Sequence, residues 1–164
     1  MQRIVQIRRL IAATLACAAV VFVATVVVAS GRAQAGGRQI RHTCSAADKQ
    51  YLETVSSNLV QLGYWSDSLV HGDVAPGVVV KQARSEAAQI DATRPSDPTL
   101  EQSRSLLRSM FMDYARAVAV KTRGGNAGEP MGSAYRLAND AHDLLAGAQP
   151  ALAARGCDPA PLLK

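Results

Sequence analysis

The sequence predicts an all-α fold: an antiparallel up-down-up-down four-helix bundle following an N-terminal hydrophobic helix. Three observations predict it. Residues 10–29 form an uncharged apolar run. Four later segments carry apolar residues at spacings of three and four, separated by Gly- and Pro-containing breaks. Two cysteines, Cys44 and Cys157, bracket those four segments.

The apolar run Leu10 to Ala29 is long enough as a helix to cross a bilayer's hydrocarbon core. Arg3, Arg8 and Arg9 precede it and no acidic residue occurs before Asp48, so the positive-inside bias keeps the N-terminus in the cytoplasm and sends the rest of the chain outward. Two readings stand side by side. The run is longer than a signal peptide's usual apolar region, which favours a retained anchor. Ala33-Gln34-Ala35 before Gly36 offers a small-x-small cleavage site, which favours a secreted chain starting at Gly36. Cys17 lies inside the run and reads as a small apolar residue. Residues 1–35 are therefore the targeting or anchoring segment, 36–43 a linker, 44–157 the bundle and 158–164 a C-terminal tail. Both readings place the bundle on the outer side of the membrane, in a bacterial cell envelope.

The formal charge of +5 misleads about partners. Arg3, Arg8, Arg9 and Arg32 all lie in the first 35 residues, leaving 14 basic against 13 acidic side chains in the exported part. That part has no run of Lys and Arg, which argues against nucleic-acid binding. Cys44 and Cys157 are its two cysteines, and in an oxidising compartment they have one way to pair. No Cys-x-x-Cys occurs and no His stands at metal-ligand spacing, so neither a zinc site nor any other cofactor site is predicted.

The first helix starts at Ser45, an N-cap with Asp48 three residues on, and runs to about Val70. Leu52, Val55, Leu59, Leu62 and Leu69 form its apolar stripe. Its other faces are polar but hardly charged, with Ser57, Asn58 and Gln61 among them. Trp65 falls at the edge of the stripe. Tyr64 points away from it, which makes Tyr64 with Trp65, Ser57 and Gln61 the predicted partner-binding face.

Gly72 caps this helix and Pro76 starts the second, where Val79, Ala83, Ala87 and Ile90 share one side. Arg94-Pro95-Ser96-Asp97-Pro98 breaks the chain, with Asp97 as N-cap and Pro98 at the first helical position. The third helix has the clearest stripe, Leu100, Ser103, Leu107, Met110, Tyr114 and Ala117, and places Arg104 and Arg108 on its other sides. Gly124-Gly125 ends it. The fourth carries Ala134, Leu137, Ala141, Leu144 and Ala148, and Pro150 is expected to end or kink it.

In an up-down-up-down bundle the start of the first helix and the end of the fourth meet at one end, where Cys44 and Cys157 stand. No Glu-x-x-His pair and no Gly-x-Ser-x-Gly elbow occurs, so a non-enzymatic interaction or structural module is predicted, contacting an envelope protein or a cell-wall polymer. A small-ligand carrier is the alternative. For haem held without Cys-x-x-Cys-His, the pair that facing helices would bring to related depths is His142 and Met110.

Overall fold

The computed structural model describes residues 43–163. The apolar run 10–29, the Ala33-Gln34-Ala35 site and the linker up to His42 lie outside the described residues. Among the described residues the fold is a bundle of four helices without strands: α1 Ala46–His71, α2 Pro76–Ala92, α3 Pro98–Thr122 and α4 Gly128–Ala153, followed by a short 3-10 turn, Ala160–Leu162. None of these helices is long and apolar enough to cross a membrane.

The helix ends obey local chemistry. At α1 the Ser45 hydroxyl accepts the Asp48 N–H at 3.0 Å while the Asp48 carboxylate accepts the Ser45 N–H at 3.1 Å, a reciprocal capping box. Gly72 closes α1 with φ of 80°, a backbone angle that a Cβ disfavours. Pro76 and Pro98 occupy first-turn positions, where a missing N–H costs nothing. Asp97 accepts the N–H groups of Thr99 and Leu100 at 2.8 and 3.3 Å. In the α3–α4 turn the backbone folds so tightly that a Cβ on Gly125 would stand 2.8 Å from a Val120 methyl.

The core centres on Tyr51, Val55, Ile90, Leu100, Phe111, Leu145 and Leu152, all at most 2% exposed. α3 is the central element, packed along both α2 and α4, and α1 leans on α2. The backbone of α1 makes few close approaches to α3 or α4, and side chains bridge the gaps. The polar ties of α1 run to α2 and α3. Tyr51 Oη meets Ser103 Oγ at 2.6 Å, Ser66 Oγ meets Tyr114 Oη at 2.7 Å, and the Asn58 amide donates to the Glu86 carbonyl at 3.2 Å.

Four expectations are corrected. Asn58 is buried rather than on the outer face of α1, and Tyr51 joins the core, because Tyr51, Val55, Asn58 and Leu62 follow one another at helical spacing and turn the buried stripe slightly from the leucine rows. Arg104 is only 7% exposed, because Glu101 and Asp91 neutralise it in place. α4 continues through Pro150 to Ala153. Pro150 removes one ladder hydrogen bond, and since it lies on the exposed side only three residues before the helix end, little of the helix depends on that bond. Finally, the segment after Cys157 is more than a tail, since Leu162 and Leu163 pack against the core.

Candidate functional site

The most organised polar site lies where α1 and α3 begin and α4 ends. Cys44 and Cys157 form a disulfide there, with Cα atoms 5.1 Å apart and a sequence separation of 113. The Cys44 N–H donates to the Arg155 carbonyl at 2.8 Å. Asp48, 4% exposed, is the hub. Its Oδ1 accepts the backbone N–H groups of Ser96 and Asp97 at 2.7 and 3.0 Å, and its Oδ2 accepts the Ser45 N–H and the hydroxyls of Ser45 and Ser96. Burial pushes the Asp48 carboxyl upward, but these donors, the Asp97 N–H foremost, outweigh it and hold the group at about 2. Arg155 completes the cluster with an ion pair to Asp97 at 2.7 Å. An open depression of about 310 Å³ lies over these groups.

Side-chain atoms of Cys44, Cys157 and Asp48 lie within 4.8 Å of one another. They are not a metal set in this state. The two sulfurs are bonded to each other rather than free thiolates, and both Asp48 oxygens already accept several hydrogen bonds. The cluster is therefore a structural joint that fixes three helix ends.

The predicted partner-binding face sits elsewhere, midway along α1. Tyr64 is 63% exposed and Val60 73%, and Ser57 and Gln61 are exposed beside them. Trp65 is half-buried, its ring 5.0 Å from that of Tyr64 in an edge-on arrangement, and its Nε1 is buried with no hydrogen-bond partner. Ser57, Gln61 and Tyr64 follow at i, i+4 and i+7, so the four predicted residues form one continuous surface.

His142 and Met110 line one open depression of about 260 Å³, with Met110 buried on α3 and His142 exposed on α4. The imidazole Nδ1 lies 3.3 Å from an Asp143 oxygen. His71 lies at the far end of α1, as the chain order implies.

Sequence reasoning missed two interior ionisable groups. Glu86 is 4% exposed, its Oε2 has no hydrogen-bond partner, and burial pushes its carboxyl up to about 7. Arg104 donates to both Glu101 and Asp91; these bonds, Glu101 first, raise its pKa further and hold both carboxyls below their ordinary values. Spacing places both beside the apolar stripes, Glu86 three residues after Ala83 and four before Ile90, Arg104 four after Leu100 and three before Leu107, but does not say that neighbouring helices cover them.

Comparison with protein families, curated proteins and solved structures finds no match to this chain.

Proposed function

We propose that this chain is a non-enzymatic interaction or structural module of the bacterial cell envelope, working outside the membrane and contacting its partner through the α1 face around Tyr64. The observation that carries the reading is an exposed aromatic and aliphatic pair, Tyr64 and Val60, on a helix face whose neighbours Ser57 and Gln61 bear no charge. A folded domain normally leaves such a surface among charges; an uncharged one with a large aromatic suits a protein or polymer partner. A photo-reactive amino acid placed at Tyr64 or Gln61 in living cells tests it. The reading expects a discrete adduct from those positions, lost in the Ser57→Lys/Tyr64→Lys background and absent from exposed Arg84. No adduct, or the same adduct from Arg84, sinks it.

The outward location draws on the arginines before the run 10–29 and on the bonded Cys44–Cys157 pair, since disulfides persist in oxidising compartments. The run either remains as the anchor or leaves by cleavage after Ala35, and the intact mass of the protein recovered from its own envelope fraction separates the two. The up-down-up-down arrangement is supported by the pairs Tyr51–Ser103 and Ser66–Tyr114, early with early and late with late, and by Arg104–Asp91, which joins the start of α3 to the end of α2.

The second reading is a small-ligand carrier, favoured by the depression that His142 and Met110 share. At about 260 Å³ it falls just below the usual range for ligand sites, roughly 300–1,000 Å³. Titration with haem tests it directly: a Soret shift lost in His142→Ala supports the carrier, and an unchanged haem spectrum removes it.

A further inference from the structure

Between α1 and α4 a depression of about 260 Å³ opens onto α3, its floor. A second, of about 150 Å³, lies on α3 and α4, and both are lined by Met110 and Ala138, so they are parts of one groove. The floor is Leu107, Met110 and Tyr114, and the α4 wall sets Ala134, Ala138 and Ala141 among larger side chains such as Met131 and Leu145. Leu59 of α1 borders one side and Leu162 closes the disulfide end. No Asp, Glu, Lys or Arg lines either depression. Along α4 the groove extends from Met131 to Leu145, about 20 Å at a rise of 1.5 Å per residue.

We propose that this groove binds one acyl chain of a membrane amphiphile, its head group left in water beside Asn139 and His142. Three things fit that occupant. An uncharged lining offers a charged peptide's side chains no partner, whereas a hydrocarbon chain gains by leaving water for it. The groove length exceeds half of the roughly 30 Å hydrocarbon thickness of a bilayer, the reach of a chain from one leaflet. Finally, Ser30 to Thr43 are fourteen residues, spanning at most about 50 Å, so an apolar run held in the membrane keeps the groove within reach of the bilayer surface. This last point rests on the anchored reading of residues 10–29; the groove itself does not.

The methionines supply the test. Met110 is buried in the groove and Met131 lines it, whereas Met112 is 42% exposed and lines neither depression. The full chain, carrying ¹³C-methyl methionine and placed in phosphatidylcholine nanodiscs, is titrated with 16-doxyl-stearic acid. Groove occupancy removes the Met110 and Met131 methyl intensity no later in the titration than that of exposed Met112, the reverse of the order that random collision with exposed groups would give. Ala138→Trp, a change at a half-buried wall position, restores both signals. Loss at Met112 ahead of Met110 and Met131, or none at Met110 and Met131 of the unaltered chain, overturns the proposal. So do Met110 and Met131 signals that shift with protein concentration before any probe is added, since a second copy then covers the groove. A chain that fails to elute with the nanodisc overturns the anchored reading alone, and the same titration in solution still decides on the groove.

Discussion

The carboxylate of Asp48 accepts the backbone N–H of Asp97 at 3.0 Å, so the first turn of α1 fixes the N-cap of α3 across 49 residues of sequence. Asp97 in turn caps α3 and pairs with Arg155 beyond the end of α4. One buried anion thereby sets the relative positions of three helix ends, and the covalent Cys44–Cys157 bond stands beside it.

That relationship makes stability acid-sensitive. The folded-state pKa of Asp48, about 2, lies below the ordinary 3.8. Stability from this group is therefore fully present above pH 3.8 and is lost as pH falls towards 2. At 1.36 kcal/mol per unit the contribution is on the order of 2 kcal/mol. Urea titrations at pH 7 and pH 2.5 should show Asp48→Asn less stable than the parent by about that amount at pH 7, with the gap narrowing at pH 2.5. A constant gap assigns the loss to packing instead.

Glu86 gives the opposite slope. Its folded pKa, about 7, lies above the ordinary 4.5. Below pH 4.5 both states are protonated and the group is neutral in effect. Between 4.5 and 7 the unfolded chain ionises first, so stability falls as pH rises, and above 7 the full cost of roughly 3 kcal/mol is in place. Glu86→Gln should match the parent near pH 4 and exceed it at pH 8. Parallel stability curves for the two proteins would show that burial does not act on this carboxyl.

Breaking the disulfide releases the longest constraint on the unfolded chain. For a loop of more than 100 residues the chain-entropy model assigns about 4–5 kcal/mol, with a mechanism that is disputed. Cys44→Ser and Cys157→Ser should each lower the melting temperature by about 10 °C or more, and reductant should do the same to the parent alone. An unchanged melting temperature refutes this.

Tyr51 and Ser103 form a buried hydroxyl pair at 2.6 Å, and burial pushes the Tyr51 phenol up to about 12. Tyr51→Phe leaves Ser103 one partner, the Leu100 carbonyl. The expected cost is about 1 kcal/mol, read from chemical denaturation. In the double variant with Ser103→Ala the two losses should not add, because both remove the same bond. Full additivity would show that the pair is not coupled.

The exposure of the proposed partner-binding face was legible in advance for a simple reason: Ser57, Gln61 and Tyr64 share a face by spacing alone, and a face that no neighbour covers stays exposed. Asp48 was legible only as a cap. Its further partners, Ser96 and Asp97, come from another helix's start, and no local pattern encodes that meeting.

What the sequence determined by itself, among the described residues, is the number of helices, most of their ends and the pairing of the cysteines. Caps, prolines, glycines and a 3.6-residue period act within one or two turns of the chain, and two cysteines outside the apolar run have a single partner each. What the tertiary structure alone decided is which polar residues go inside and where the bundle stays open. Asn58, Glu86 and Arg104 are interior because neighbouring helices cover those positions. The groove lies over α3, lined by Leu59 of α1 and by α4, while the polar ties of α1 run to α2 and α3. Burial and helix spacing are properties of contacts between elements, and periodicity within one element cannot specify them.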